Sequence, residues 1–374
     1  MSKNKINIAI IGATGYTGLD LVLLLSKHPK AKILYLCATQ KLGKQISYFD
    51  KRIKKKLPRI SSVKKIDWSI IDLVFLSLPN GEAQNLINNI YYKYKKIKFI
   101  DLSADFRIHD KKIYKKYYKK KHKAIKLINK SIYSISEFVK SEVGKYRIIA
   151  NPGCYPTSIQ IPLIPLIKKK LINLEKITID SKSGYSGAGK NFEKKFTHSN
   201  LYSSTFAYNT KNHRHTAEID QEFKRYSKKK VDYTFNPHIL PTFRGILTSI
   251  YIEVKNNYSS SKLRKVLVDF YKKDKFVKIK SLNTELGTGN VIYTNNCEIS
   301  VCETRIKNKL IIFSAIDNLI KGASGQAVQN MNLLYKFPET LGLKWEIYYF
   351  WLFYYYSTVV INRKLFWYVE IIYA

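Results

Sequence analysis

The chain has 374 residues, 45% of them hydrophobic, which is enough for two domains and a sizeable core. Its formal net charge of +39 would ordinarily point to nucleic acid. Here the lysines are spread over the whole length beside many Ile, Asn, Tyr and Phe residues, as an AT-rich coding sequence yields. A solvated basic surface is therefore expected, with no nucleic-acid partner beyond weak polyanion attraction at 111–130.

Ile6-Asn7-Ile8-Ala9-Ile10-Ile11 reads as a β-strand, and Gly12-Ala13-Thr14-Gly15-Tyr16-Thr17-Gly18 follows it directly. An apolar helical run, Leu19 to Leu25, comes next. Strand, glycine turn and helix form the setting in which backbone N–H groups cradle a dinucleotide pyrophosphate. The spacing is G-x-x-G-x-x-G, and Gly12, Thr14, Gly15, Tyr16, Thr17 and Gly18 are the candidate contacts. No secretory leader is expected, because Gly12 interrupts the apolar run and no cleavage site follows.

Ile33 to Cys37 reads as the second strand. It ends in Ala38-Thr39-Gln40-Lys41, without the carboxylate that holds a ribose 2′-hydroxyl in NAD sites. Thr39 and Lys41 suit a 2′-phosphate, so NADP(H) is expected. Further strands are expected at 71–79, 98–101 and 146–150, with a helix at 82–90. Alternating strands and helices imply a parallel, doubly wound sheet with ligands at the C-terminal strand ends. Asn80, Ser103, Arg107 and Cys154 lie at or just past such ends.

Cys154 stands in Asn151-Pro152-Gly153-Cys154-Tyr155-Pro156-Thr157, between the strand at 146–150 and a helix expected at 158–166. Unsatisfied N–H groups and the positive end of a helix dipole favour the nucleophilic thiolate there. None of Cys37, Cys154, Cys297 and Cys302 forms a Cys-x-x-Cys pair, so no zinc ribbon or disulfide framework is indicated and the cytoplasm is expected.

Past Cys154 the pattern changes. Strands are expected at 177–182, 245–254, 297–304 and 309–316, with a helix at 260–271, which suggests an α+β second domain. Between them lie the glycine-rich Ser183 to Lys190 and a polar stretch with His198, His213 and His215. Asp317 to Gln326 leads into a helix at 327–335. His213 and His215 flank Arg214. A thiol, a histidine and a bound nicotinamide can together form an acyl-enzyme, reduce it and protonate its oxygen. No metal is expected, since residues two apart do not share a helix face and no third ligand is evident.

From about residue 5 to about 343 the chain resembles the N-acetyl-γ-glutamyl-phosphate reductases of arginine biosynthesis. The motifs carrying the resemblance are Gly12 to Gly18, Asp101 to Arg107, Asn151 to Thr157, Ser183 to Lys190, His213 to Ile219 and Asp317 to Gln326. It implies a Rossmann-type doubly wound parallel sheet at 1–153 plus 318–345 and an α+β substrate and dimerisation domain at 154–317. It also implies NADPH-dependent reduction of an acyl phosphate through a thioester on Cys154, in a homo-oligomer. By position, His213 is the expected acid/base, with His215 and Arg214 binding substrate and Arg107 holding the phosphate or a carboxylate. Ser186, Gly187 and Asn318 are expected beside the nicotinamide. Ala217 stands where the family usually has proline, and 282–290 is a loosened version of a family segment.

Three alternatives compete. Aspartate-semialdehyde dehydrogenase shares the scaffold, but its cysteine motif lacks the flanking Pro-Gly and Tyr-Pro. A reductase of N-acetyl-aminoadipyl phosphate differs by one methylene, which an apolar pocket discriminates weakly. A non-enzymatic basic binding protein on this scaffold would explain the charge but not the retained Cys154, His213 and glycine turn. The aromatic tail, 346–374, has no counterpart in the family. It is expected to do no chemistry, to make no membrane contact and to be an aggregation liability.

Overall fold

The first 150 residues alternate short apolar strands with helices, and in the computed structural model they build one parallel sheet. Residues 5–189 and 204–343 are described; Lys190, His198 and the tail lie outside them. Chain order begins β1 (Ile6–Ile11), α1 (Tyr16–Lys27), β2 (Ala31–Cys37), β3 (Ile60–Ser61), β4 (Leu73–Leu76), α2 (Glu82–Tyr91), β5 (Lys98–Asp101) and α3 (Lys111–Tyr118). It continues with α4 (Ile125–Ile128), β6 (Ser131–Tyr133), α5 (Ser136–Val139) and β7 (Ile148–Ala150). The strands lie in the order β3-β2-β1-β4-β5-β7-β6, all parallel. Because helices cover both faces, β4 is buried at every position. The order reverses between β1 and β4, and a crevice opens there at the C-terminal ends of the strands.

Cys154 is the first residue of α6 (Cys154–Lys168), so the helix starts four residues before the expected position. It is buried from Tyr155 to Ile167 and carries Pro162 and Pro165 in its interior. Pro165 has no N–H to give the carbonyl of Ile161, and the Tyr271 hydroxyl bonds that carbonyl instead.

The rest of the chain forms β8 (Ile177–Gly184), β9 (Phe206–Ala207), α7 (Thr216–Ser227), β10 (Tyr233–Leu240), β11 (Ile246–Glu253), α8 (Ser260–Tyr271), β12 (Val277–Ile279), β13 (Cys297–Glu303), β14 (Lys309–Ile316) and α9 (Gly325–Leu334). A mixed sheet in the order β12-β13-β14-β11-β8-β10-β9 results. One face carries Ile177, Ile179, Ile250 and Ile312 against α6, α7 and α8. β10 has no expected counterpart. Pro237 interrupts its run, and β9 pairs only with His238 and Ile239, so β10 is an edge strand elsewhere.

Buried charges tie the first sheet to the second. Asp20 of α1 accepts Arg244 Nη2 at 2.6 Å and Arg52 Nη2 at 2.8 Å, and Arg244 reaches Asp317 at 3.3 Å. Among the described residues, no helix is long and apolar enough to cross a membrane.

Candidate active site

The crevice is a cleft of ≈ 1310 Å³ that runs from the glycine turn to Cys154. At one end, Gly15 caps α1 without a side-chain hydrogen bond, which leaves main-chain N–H groups of the first turn uncapped. Gly12, Thr14, Gly15, Tyr16 and Thr17 line the cleft there. Gly12 has φ 85°, and a Cβ on it would lie 2.0 Å from the Ser77 carbonyl oxygen. Gly18 is off the cleft; a Cβ there would meet the Gly12 carbonyl oxygen at 2.1 Å, so this glycine lets α1 lie against the turn. An uncapped helix start beside bare backbone fits a pyrophosphate.

The adenosine end differs from expectation in one residue. Thr39 lines the cleft, but Lys41 does not: it is exposed, with φ 56°. Ser62 and Lys64, just past β3, line it instead. Nothing near Lys64 in sequence marks it, because β3 is two residues long and was not foreseen.

At the other end, Asp101 Oδ1 accepts the Ser103 N–H at 2.9 Å, and Asp105 accepts the N–H groups of Gly81 and Gln84 at 2.7 and 3.0 Å. These bonds fold Asp101 to Arg107 into the cleft wall. Burial, then the neighbouring Asp105, pushes the Asp101 carboxyl up to about 7. Arg107 spends three of its five N–H donors on protein: Asn151 O at 2.7 Å, Leu102 O at 2.8 Å and Glu218 Oε1 at 3.1 Å. Arg214 is exposed on the cleft wall.

Glu218, which sequence reasoning did not single out, is fully buried and central. Its Oε2 accepts the Gly153 N–H at 2.9 Å and the Tyr133 hydroxyl at 3.2 Å, while Oε1 stands 4.0 Å from His215 Nε2. Its only local signal is its position three residues past His215, on the first turn of α7. Two glycines crowd the nucleophile's helix tip. A Cβ on Gly153 would lie 2.6 Å from His215 Nε2, and one on Gly322 would lie 2.6 Å from the Cys154 Cβ.

Cys154 and His215 both line the cleft; His213 does not. His213 is committed at both ring nitrogens: Nδ1 accepts the His215 N–H at 3.1 Å, and Nε2 faces the Tyr208 hydroxyl at 3.2 Å. His215 Nδ1 is buried and has no hydrogen-bond partner among the described residues. Burial, then Arg214, lowers His213 to about 3; burial, then His213 and the two arginines, holds His215 well below the usual range. Both rings are therefore neutral at physiological pH. The thiolate expected from the sequence is opposed by packing. Burial pushes the Cys154 thiol up to about 11, outweighing the Tyr155 N–H and the positive charges of Arg107 and Arg214. Beyond Cys154, Ser186, Gly187 and Asn318 line the cleft together, with Asn318 Nδ2 donating to Ser186 Oγ at 2.9 Å.

Residues 7–146 match a family model described as semialdehyde dehydrogenase, NAD binding domain, and residues 154–318 match one described as semialdehyde dehydrogenase, dimerisation domain. N-acetyl-γ-glutamyl-phosphate reductase of Afipia carboxidovorans is 40% identical over 92% of this chain and 98% of its own length. The corresponding protein of Ehrlichia ruminantium is 42% identical over 91% of this chain and 97% of its own. The chain belongs to the N-acetyl-γ-glutamyl-phosphate reductase family. A probable chloroplastic member from Oryza sativa subsp. japonica is 40% identical over 92% of this chain and 83% of its length. Among solved structures, aspartate semialdehyde dehydrogenase II of Vibrio cholerae in complex with ASA superposes with a TM-score of 0.67 at 16% identity, covering 89% of this chain and 99% of that one. That likeness concerns the fold. The α/β fold, the enzyme class and the nicotinamide cofactor expected from the sequence all stand with this family.

Proposed function

We propose that the chain reduces N-acetyl-γ-glutamyl phosphate to N-acetyl-glutamate 5-semialdehyde and phosphate with NADPH, through a thioester on Cys154. The carrying observation is the single cleft that joins an uncapped helix start at Gly15 to Cys154, His215 and Arg214. Glycine-turn amides hold the pyrophosphate, and Ser186, Gly187 and Asn318 flank the nicotinamide, which supplies the hydride when bound. Lys64, with Thr39 and Ser62, takes the 2′-phosphate assigned from sequence to Lys41.

The neutral His215 removes the Cys154 proton as sulfur attacks the acyl carbon, the C–O bond to phosphate breaks, and phosphate departs. After reduction of the thioester carbon, the same imidazolium gives its proton to the developing oxyanion. It takes that proton back as the C–S bond breaks and the aldehyde forms, and returns it to the departing Cys154 sulfur. His213 supports this ring by accepting its backbone N–H. Arg214 meets an anionic group of the substrate; Arg107 orients the Asn151–Gly153 segment and keeps two N–H donors for the ligand.

The division into 1–153 plus 318–345 and 154–317, a homo-oligomer formed through the second domain, and a cytoplasmic location belong to the same proposal. The test is the reverse reaction. Purified protein given N-acetylglutamate 5-semialdehyde, inorganic phosphate and NADP⁺ should form NADPH, and formation should depend on phosphate. Absence of phosphate-dependent NADPH formation would overturn the assignment.

A further inference from the structure

Lys321 is wholly buried, and its side chain does not line the cleft although its neighbour Gly322 does. Its Nζ donates to Glu137 Oε1 at 2.6 Å and to Gln329 Oε1 at 2.9 Å, and both side chains of the ion pair are 0% exposed. Gln329 is saturated in turn. Its oxygen also accepts Asn295 at 2.8 Å, and its nitrogen donates to Glu137 and Glu339 at 2.9 and 2.7 Å. A buried ion pair of this kind is not a source of net stability, because desolvation offsets the attraction. Its presence calls for another explanation.

That explanation lies in the backbone carrying Lys321. Ile320–Ser324 is a π-turn, with Gly322 N–H bonding Asp317 O and Ser324 N–H bonding Leu319 O, both at 2.9 Å. Such turns hold one residue more than an α-turn and recur at functional sites. This one puts Gly322 against Cys154, where a Cβ would lie 2.6 Å from the Cys154 Cβ. The adjoining Ala323 carbonyl accepts Asn151 Nδ2 at 3.1 Å, and Asn318 bonds both Ser186 and the Gly245 N–H. Relaxation to an α-turn would rotate the residues by roughly 100° per position and bring a side chain to where only glycine fits.

We propose that the Lys321–Glu137 pair is a positioning device that locks the π-turn in the register placing Gly322 over the nucleophile. It anchors the turn to α5, which does not line the cleft, and so sets the space around the Cys154 sulfur. This rests on Cys154 being the reacting group, and a readout that needs no substrate keeps the two claims separable.

The experiment compares Glu137→Gln, which keeps shape and a hydrogen bond, with the double variant Lys321→Met and Glu137→Met, which replaces both charges with apolar groups. Iodoacetamide alkylation of Cys154, located by mass spectrometry, NADPH affinity by fluorescence and steady-state kinetics are measured on each. The double variant should keep NADPH affinity within about twofold, alter the alkylation rate by about fivefold or more, and lose roughly 10²-fold in kcat, as a displaced reacting group does. Glu137→Gln, which leaves the buried Lys321 charge without its carboxylate, should depart from the parent at least as far as the double variant. A folded double variant with parental alkylation and kcat would overturn the proposal. So would failure of both variants to fold, which would make the pair a support of the fold rather than of the turn. Altered alkylation in the double variant, beside a parent protein that is itself inactive on the acyl phosphate, would uphold the positioning role and overturn only the substrate assignment.

Discussion

After β1 the cleft wall comes from one short run of chain, whereas around Cys154 it is a web of buried side chains. The first wall needs little room beyond the missing Cβ atoms of Gly12 and Gly18 and an uncapped helix start, all within seven consecutive residues. The second needs Arg107, Tyr133, Gly153, His215 and Glu218 at once, joined across sequence separations of up to 111 residues. A backbone cradle survives extensive change in side chains; a side-chain web does not. Only the first is readable as a local pattern.

The contrast is broken most severely at the sulfur. Cys154→Ser should lower kcat by at least ~10³-fold while fluorescence titration shows unchanged NADPH affinity, because the cradle lies at the other end of the cleft. Near-normal turnover would remove the thiol from the chemistry. Next come the two histidines. His215→Asn should lower kcat roughly 10²–10⁴-fold, and His213→Asn by no more than about tenfold, through the lost bond to the His215 N–H. The opposite ranking in steady-state assays would return the acid/base role to His213.

A third test sharpens the electrostatic side. With its folded pKa raised to about 11, Cys154 is a thiol at neutral pH. Its alkylation, tracked on the Cys154 peptide, should climb about tenfold per pH unit through the alkaline range. A plateau at neutral pH would mean that the helix start and the arginines outweigh burial after all. The smallest expected effect lies at the cradle's far end. Lys64→Glu should cut the preference for NADPH over NADH by about tenfold, measured as a ratio of kcat/KM values, and Lys41→Glu should change it by less than about twofold. Equal responses would leave Lys41 in contention.

The legible parts of the molecule have strong local causes. Lys98–Asp101, Lys309–Ile316 and Ser260–Tyr271 fall where their apolar periods place them. The glycine turn and the strand-to-helix position of Cys154 were equally plain. What could not be read depends on partners distant in sequence. Glu218 shows only a spacing from His215; Lys64 follows a two-residue strand; Lys321 looks like an ordinary surface lysine until its burial is known. The protonation of Cys154 was hard to read for a related reason. A helix start can be inferred from sequence, but the desolvation that opposes it arises only after packing.

The two prolines within α6 turn that helix into a lever. Ile161, whose carbonyl Pro165 leaves unmatched and the Tyr271 hydroxyl holds, lies seven residues from the sulfur-bearing tip. At about 1.5 Å per residue that arm is roughly 10 Å long, so a bend of about 10° at its pivot would carry the tip by ~2 Å. A displacement of that size exceeds the tolerance for attack on a carbonyl carbon. Aim at the cleft is therefore fixed midway along the helix by a tyrosine that does not line the cleft.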